Sequence, residues 1–275
     1  VVPRSVIPPR RRPPDPQAGR VAESPTVGVV VPAYRPDLDV LTGYLDRLSE
    51  TLDPAALRVE LDAPTDGTRE RLAGTPATVA VSTTRRGKGG AITEGFDALG
   101  TDVLAFADAD GATPVPELCR VVETVTDGRA DLAVGSRRHP DATVETDQSP
   151  GRSVMGDGFA WLARRMLDVS LYDYQCGAKA LTAGAWQQVR EQLTERGFAW
   201  DIELVAFAGA AGLRVREAPI TWHDHPESTA PPVRTAAELR STPVRTRHRT
   251  RRNGGLLSAG IPHPRPPQDD VPART

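Results

Sequence analysis

Five short apolar runs alternate with amphipathic segments along the first half of the chain. The runs have the length of buried strands and lie at 26–34, 57–61, 77–82, 102–110 and 130–137. The segments between them repeat apolar residues at helical spacing, as Leu41, Leu45 and Leu48 do. These predicted helices lie at 38–51, 65–74, 89–100 and 115–128. Strands that alternate with helices predict an α/β domain in which helices cover both faces of a mostly parallel sheet.

The pattern changes after residue 140. Apolar residues on one side of 153–169, with Arg164 and Arg165 on the other, predict an amphipathic helix, a form suited to a membrane interface as well as to ordinary core packing. Further elements are predicted as a loop at 172–179, a helix near 182–195, a helix from Asp201 and a strand at 213–222. The second half is therefore predicted to add one more strand to the chain, together with further helices.

Proline, with 26 residues in the chain, is concentrated at the two ends. Residues 1–25 are rich in Pro and Arg and residues 262–275 are rich in Pro, so both segments are predicted to be disordered. The folded domain is assigned to 26–230. A basic extension follows at 231–261. Its stretch 245–252, with five Arg and one His, is suited to membrane contact through anionic lipid, and a disordered, solvated tail is the alternative.

The bulk composition argues against several classes of protein. A net charge of −2 provides no whole-chain attraction for nucleic acid, so no nucleic-acid partner is expected. Cys119 and Cys176 lie far apart without a C-x-x-C spacing, which argues against a zinc site or a disulfide framework. The longest apolar run, 204–213, falls well short of the ~20 residues of a membrane span, and the first residues show no apolar core of a signal peptide. A cytoplasmic location is therefore expected.

Charged residues follow the predicted strands at their carboxyl ends. They are Asp62, Arg85 to Lys88, Asp108, Asp110 and Arg137. The carboxyl ends of parallel strands share one edge of the sheet, and ligands of open α/β sheets bind beyond that edge. We therefore expect these side chains to converge on a binding site.

Asp108 and Asp110, in the stretch DADGAT, stand one residue apart after a buried strand. In a phosphatase of the haloacid dehalogenase type, the first such aspartate is a nucleophile; elsewhere the two carboxylates hold a divalent cation on a nucleoside diphosphate. The phosphatase is disfavoured because three βα units precede the strand, whereas its nucleophile strand normally opens the domain. A nucleotidyltransferase is disfavoured because the first strand, VVVPAY, is not followed by a Gly-rich loop.

Eight segments match, in order, the motifs of one enzyme family. The segments are VVVPAYRPD, ELDAPTDGT, RRGKGGAITEGF, DADGAT, VGSR, YDYQCGAK, GFAWDIEL and APITWHDHPES. The chain resembles the family 2 glycosyltransferases of GT-A fold over about 27–250. Within that family it is most similar to the synthases that charge dolichyl or polyprenyl phosphate with glucose or mannose.

The resemblance implies a single GT-A domain with a Rossmann-like nucleotide-binding half. It implies an inverting enzyme that moves a hexose from a nucleoside diphosphate sugar to a polyprenyl (dolichyl) phosphate with the help of Mg²⁺ or Mn²⁺. Such an enzyme would be a peripheral protein at the cytoplasmic, inner face of a membrane. The alternatives are a family 2 glycosyltransferase that acts on a glycan or another hydroxyl acceptor, and a non-catalytic homologue.

The resemblance also implies which residues bind the donor. Asp110 is the first candidate for a metal ligand, with Asp108 on the ribose or the metal, and Lys88 would add positive charge near the diphosphate. The residues implied to contact the nucleotide are Pro32, Ala33, Tyr34, Asp62, Lys88, Asp108 and Ala109.

The chain departs from the family pattern at two places in the donor region. Leu61 replaces the first aspartate of the D-D-G-S motif, and Arg35-Pro36 replace Asn-Glu after the first strand. Asp37 is then a candidate substitute for the missing acid. A turn role for Asp62 and a solvated loop position for Lys88 are the structural alternatives to donor binding.

The implied catalytic residues are Asp110, Arg137, Arg152 and Asp201. A lipid phosphate is mostly dianionic at neutral pH and needs cationic partners rather than a general base, which suits Arg137 and Arg152. If a base is used, Asp173 or Asp201 is the candidate, although Asp201 would also suit the cap of its helix.

Overall fold

The computed structural model describes residues 24–144 and 169–222, which contain nine strands and six α-helices. The strands are β1 Val27–Tyr34, β2 Ala56–Asp62, β3 Thr78–Ser82, β4 Val103–Ala107, β5 Leu132–Ser136, β6 Thr143–Val144, β7 Ala178–Thr182, β8 Val215–Pro219 and β9 Thr221–Trp222. The helices are α1 Leu38–Leu52, α2 Thr68–Leu72, α3 Lys88–Asp97, α4 Val115–Thr126, α5 Ala183–Val189, which continues into the 3-10 turn Arg190–Gln192, and α6 Trp200–Ala210. Arg152, nearly all of the predicted helix 153–169, the basic extension and both proline-rich ends lie outside the described residues.

The main sheet has seven strands in the order β3-β2-β1-β4-β7-β5-β8. The pairs β3–β2, β2–β1, β1–β4 and β5–β8 are parallel, whereas β7 is antiparallel to both of its neighbours. A separate pair, β6 and β9, is parallel. This topology confirms the predicted α/β domain with a mostly parallel sheet.

The strand β7 was not predicted, because its segment was assigned to a loop at 172–179 and a helix from 182. Lys179 interrupts the apolar pattern in the middle of the strand, so no buried run is visible there. The structure pairs Lys179 with Phe106 of β4 and with Val134 of β5, which are distant in sequence. The strand therefore depends on contacts that a local pattern does not record.

Several other bounds differ from prediction by a few residues, and the strand predicted at 213–222 forms two strands, β8 and β9. Two of the shortened elements are β4 and α3. The strand predicted to reach residue 110 ends at Ala107, because the backbone N–H of Ala112 donates to Asp110 Oδ1 at 3.0 Å and Gly111 takes a positive φ of 67°. The helix predicted to end at Gly100 ends at Asp97. Both differences shorten an element without changing the order of elements.

The sheet is buried on both faces, and β1 shows this most directly. Val29 and Val31 belong to one hydrophobic core and Val30 to the other, so successive residues point to opposite faces. The first core contains residues of α1 and α4; the second contains residues of α3, α5 and α6. Burial on both faces explains why the strand reads as a continuous apolar run.

The helix α6 is buried on every side over residues 200–208. Its apolar stretch, noted in the sequence as the longest of the chain, is therefore a core helix. Trp200 of this helix packs edge-on against Phe96 and Phe106, with ring centroids 6.3 and 5.8 Å away. Within residues 24–144 and 169–222 there is no helix of the length and hydropathy needed to cross a membrane.

Candidate active site

The charged residues that follow the strands lie together at one edge of the sheet, as predicted. Lys88, the first residue of α3, reaches Asp108 after β4, and Asp62 at the end of β2 holds the loop that leads to α3. Arg137 follows β5 at the same edge. Sheet topology thus brings together residues that are up to 75 positions apart in the sequence (62 to 137).

Asp108 and Asp110 differ in their surroundings. The backbone N–H of Asp108 donates to the carbonyl of Gly177 at 3.1 Å, and the carboxylate accepts from Lys88 Nζ at 2.8 Å. A Cβ at Gly177 would lie only 1.9 Å from Asp108 Oδ2, so glycine is required beside this carboxylate. Asp110 is exposed and accepts a hydrogen bond from the backbone of Ala112. The exposed carboxylate therefore faces solvent while its neighbour is held by the protein.

Negative charge is unfavourable at this point of the edge. Burial raises the pKa of Asp108 above its ordinary value; Lys88 opposes the rise and the nearby Asp110 adds to it. Burial, together with the charges of Asp108 and Asp110, also raises the pKa of Tyr44, whose hydroxyl donates to the carbonyl of Thr113 at 2.9 Å. A bound cation would offset this concentration of carboxylates.

The chemistry of this donor set fits Mg²⁺ or Mn²⁺. Both are hard cations that take oxygen ligands, and Mg²⁺ is usually held by one or two carboxylates beside substrate phosphates. Asp108 and Asp110 supply two carboxylates of this kind, and the glycine at 177 leaves the space around Asp108 clear of a side chain. Across the described ranges no group of three or more His, Cys, Asp or Glu residues is placed to hold a metal ion.

Lys88 is fixed by the fold rather than solvated in a loop. Its helix begins after Gly87, whose φ of 83° is a left-handed value that favours glycine. The ammonium group lies 2.8 Å from Asp108 Oδ1 and 3.4 Å from Asp201 Oδ2, and the side chain is 11% exposed. Burial works against its charge, but Asp108 and Asp201 outweigh burial and raise the pKa of Lys88. The alternative of a solvated loop cation is therefore wrong.

Asp201 is buried between two lysines. Its Oδ1 accepts from Lys179 Nζ at 2.6 Å, and its Oδ2 lies 3.4 Å from Lys88. The alternative role as a helix cap is wrong, because Ala199 is the N-cap of α6 and no side chain caps that helix. Asp108, Lys88, Asp201 and Lys179 thus form a row of alternating charge that runs from the edge of the sheet into the core.

Sequence reasoning missed Lys179, which is fully buried in β7. Its ammonium group also donates to the carbonyl of Cys176 at 2.8 Å. The signal that could have found it is the single charge in the stretch CGAKALT, because a buried lysine needs an anionic partner.

Asp62 is engaged by the protein itself. Its carboxylate accepts from the backbone N–H groups of Arg86 and Gly87 at 2.7 and 2.9 Å and from Arg86 Nε at 2.7 Å. The Arg86 guanidinium also pairs with Glu60 and Glu94, each at 2.7 Å. These bonds fix the loop before Lys88, and contact of Asp62 with the nucleotide stays a prediction.

The residues 32–34, which the resemblance implies to contact the nucleotide, lie at the end of β1. Pro32 and Ala33 are in the strand, and the guanidinium of Arg85 lies 3.9 Å from the ring centroid of Tyr34. Asp37, the candidate substitute for a missing acid, is the N-cap of α1 and accepts from the backbone of the first helical turn, at 2.9 and 3.1 Å. A capping carboxylate of this kind gives no support to a role in nucleotide recognition. Ala109 is half-buried between the two aspartates.

Arg137 and Asp173 form a two-point ion pair. Arg137 Nε lies 2.6 Å from Asp173 Oδ2, and its Nη2 lies 3.0 Å from Oδ1. Burial acts to raise the pKa of Asp173, but Arg137 outweighs it and brings the value down to about 2. Such a carboxylate is a weak general base, so this geometry disfavours Asp173 in that role. The other implied arginine, Arg152, lies outside the described residues.

Residues 28–182 match the family model described as Glycosyl transferase family 2. The chain is 31% identical over 251 residues to Glycosyltransferase AglD of Haloferax volcanii. The matched region covers 87% of this chain but only 39% of that relative's length. It is 30% identical over 202 residues to the undecaprenyl-phosphate mannosyltransferase of Micrococcus luteus, covering 70% of this chain and 82% of the relative. It is 27% identical over 224 residues to the dolichyl-phosphate beta-glucosyltransferase of Homo sapiens, covering 73% and 68%.

Solved structures share the fold. The glucosyl-3-phosphoglycerate synthase of Mycobacterium tuberculosis, crystallised with Mn²⁺, UDP and glucosyl-3-phosphoglycerate, matches with a TM-score of 0.59 at 18% identity, covering 81% of this chain and 80% of that chain. The mannosyl-3-phosphoglycerate synthase of Rubrobacter xylanophilus matches with a TM-score of 0.60 at 18% identity, covering 90% and 80%. At these identities the likeness extends to the fold alone, which is that of a GT-A domain.

Proposed function

The chain belongs to glycosyl transferase family 2, and on that premise we propose that it moves a hexose from a nucleoside diphosphate sugar to a polyprenyl phosphate with inversion at the anomeric carbon. The observation that carries this proposal is the arrangement of Lys88 with Asp108 and Asp110 at the carboxyl edge of the sheet. It offers both oxygen ligands and an ammonium group at the place where open α/β sheets bind nucleotides.

The donor half of the reaction needs stabilisation of the departing diphosphate. A divalent cation, held by Asp108 and Asp110, would lower the cost of separating that charge from the sugar. Lys88 would contribute a second positive charge within the same pocket. Pro32 to Tyr34, Ala109 and Asp62 are proposed to line the nucleotide side of the pocket.

The acceptor half is supported by the state of the two candidate bases. Asp173 is held by Arg137, and Asp201 is held by Lys179 with Lys88 close to its other oxygen. A hydroxyl acceptor would need a base to remove its proton, whereas a phosphate dianion attacks without one. The names of the Micrococcus luteus and Homo sapiens relatives include undecaprenyl phosphate and dolichyl phosphate, which is consistent with a lipid phosphate acceptor.

Arg137 and Arg152 are proposed to hold the acceptor phosphate behind the anomeric carbon. Arginine is suited to this task because its guanidinium keeps its charge and carries several N–H donors for phosphate oxygens. The two-point pair with Asp173 would hold the Arg137 guanidinium in place for that contact. Asp201 is assigned here to positioning Lys88 rather than to proton transfer.

The proposal includes peripheral contact with the inner face of a membrane, through the helix predicted at 153–169 and the basic stretch 245–252. Cosedimentation with vesicles of anionic phospholipid, compared with neutral vesicles, measures this contact. Binding that is equal on both kinds of vesicle, or absent from both, contradicts the electrostatic part of the proposal.

A donor panel tests the proposed reaction. UDP-glucose, UDP-N-acetylglucosamine and GDP-mannose are each incubated with Mg²⁺ or Mn²⁺ and either a short polyprenyl phosphate or a glycan acceptor. The sugar transferred to each acceptor is then measured. Product from one donor is the expected result. Transfer to a glycan but not to the lipid phosphate would replace the proposed acceptor. Binding of a nucleotide sugar without turnover on either acceptor would indicate a non-catalytic homologue.

A further inference from the structure

Lys88 and Lys179 are the two lysines of a chain that has 34 Lys and Arg residues in total, and both contact Asp201. Lysine and arginine differ in a way that matters here. The lysine ammonium is a compact charge on a flexible stem, whereas arginine carries a rigid planar fork. Since both lysines contact Asp201, the two positions at which this chain uses lysine lie in the one row of charges formed by Asp108, Lys88, Asp201 and Lys179.

The two lysines are held differently. Lys179 is fully buried in β7, and its ammonium group is fixed by Asp201 at 2.6 Å and by the carbonyl of Cys176 at 2.8 Å. Lys88 has one close partner, Asp108 at 2.8 Å, and one more distant partner, Asp201 at 3.4 Å. Lys179 thus anchors one oxygen of Asp201, while the other oxygen stays turned toward Lys88.

Lys88 is paired with a carboxylate that the proposed metal site also requires. A divalent cation at Asp108 and Asp110 would compete with the ammonium group for the same oxygens and would repel it. Asp201 Oδ2 is then the carboxylate oxygen closest at hand, because it already lies 3.4 Å from the ammonium group.

We propose that Lys88 is a resident counter-ion of Asp108 that a divalent cation displaces, and that Asp201, anchored by Lys179, receives the displaced ammonium group. Asp201 and Lys179 are positioning residues in this scheme. The proposal rests on the proposed function, which places the cation at Asp108 and Asp110. In the free protein the same pairing offsets the charge of the half-buried Asp108 carboxylate.

The test measures Mn²⁺ affinity without nucleotide, from the electron paramagnetic resonance signal of free Mn²⁺ at constant pH. Its central variant is Lys179→Met/Asp201→Asn, which removes one positive and one negative charge together. A purely long-range electrostatic role of the pair predicts little change in affinity, because the net charge is kept. The displacement scheme predicts affinity weaker by roughly threefold to tenfold, because Lys88 has lost its second partner.

The same pair of substitutions is then made together with Lys88→Met. Lys88→Met alone is expected to tighten Mn²⁺ binding by roughly threefold to tenfold, because the competing charge is gone. Adding Lys179→Met/Asp201→Asn to that variant is expected to change the affinity by less than about twofold, since the pair acts through Lys88. An equal effect of the pair in both backgrounds overturns the proposal.

Lysine-selective ¹³C labelling supplies a second measurement, since the two lysines give two side-chain signals that the Lys88→Met spectrum assigns. Saturating Mg²⁺ is expected to shift the Lys88 signal and to leave that of Lys179 in place. An unshifted Lys88 signal overturns the proposal. This experiment uses the unsubstituted protein, so it does not depend on the folding of the paired variant.

Failure of the proposed function gives a different result. If Asp110→Asn leaves Mn²⁺ affinity unchanged, or if no variant binds Mn²⁺, the metal site itself is wrong and the displacement scheme falls with it. If Asp110→Asn abolishes Mn²⁺ binding, but Lys179→Met/Asp201→Asn has an equal effect with and without Lys88→Met, only the displacement scheme is wrong.

Discussion

The buried pair Lys179–Asp201 predicts an unequal response to two single substitutions. Lys179 is 0% exposed and the Asp201 side chain 3% exposed, with 2.6 Å between their charged atoms. Removing one partner of a buried pair leaves an uncompensated charge, which typically costs about 3–5 kcal/mol. The remaining contacts decide which of the two substitutions costs more.

Asp201→Asn is expected to be the more harmful change. It leaves Lys179 with the Cys176 carbonyl and a neutral amide, so a loss of about 3–5 kcal/mol in the free energy of unfolding is expected. Lys179→Met leaves Asp201 with Lys88 at 3.4 Å, and a smaller loss of about 1–3 kcal/mol is expected. Both substitutions together should cost less than the sum of the two, by about 2 kcal/mol or more.

Equilibrium unfolding in guanidinium chloride at neutral pH measures these differences, provided that the denaturant slope stays constant among the variants. Arg71→Met is the matched control, because Arg71 and Asp39 form an ion pair whose side chains are 57% and 87% exposed. No measurable loss is expected from that control. If Asp201→Asn is no more destabilising than Arg71→Met, or if Lys179→Met is the more harmful single change, the reasoning is refuted.

Three further predictions concern Gly177, Asp173 and Arg152. Gly177→Ala should lower metal affinity and turnover at least about tenfold, because the added Cβ would collide with Asp108. The control Gly184→Ala, whose Cβ would have nothing within 4 Å, should leave both unchanged. Equal behaviour of the two variants in Mn²⁺ binding and transfer assays contradicts this prediction. The lowered pKa of Asp173 contributes stability that is present above the ordinary value of 3.8 and is lost as the pH falls towards about 2. Urea unfolding should therefore show about 2 kcal/mol of acid destabilisation that the Asp173→Asn variant lacks. Identical pH profiles of the two proteins would exclude this contribution. Arg152→Ala should chiefly raise the KM for polyprenyl phosphate, and an effect confined to the KM for the nucleotide sugar would reassign that residue.

The first half of the fold could be predicted because its signals are local. Strand β1 is an unbroken apolar run, and α1 repeats Leu41, Leu45 and Leu48 on one face. Once those elements alternate, the rule for parallel sheets places Asp62, Lys88 and Asp108 at one edge without further information. The prediction of a shared edge therefore needed neither distances nor partners.

The parts that escaped prediction depend on contacts distant in sequence. Strand β7 is defined by its pairing with β4 and β5, and its buried charge at Lys179 is compensated by Asp201, 22 residues further along. Asp62 reads as a ligand-binding residue, yet its bonds go to Arg86 and Gly87, about 24 residues away. A motif can identify such residues but cannot show which internal partner has already engaged them.

Transfer at this edge of the sheet requires that Asp108 and Asp110 hold a metal-bound nucleoside diphosphate sugar, with Lys88 beside them. The most direct test of this requirement is the rate of lipid-linked sugar formation on a short polyprenyl phosphate by the unsubstituted chain and by Asp110→Asn, each with Mg²⁺ or Mn²⁺ and with a chelator. Product is expected from the unsubstituted chain with metal, and none with chelator or from Asp110→Asn. Product that persists in the chelator, or an Asp110→Asn variant with an unchanged rate, would contradict it.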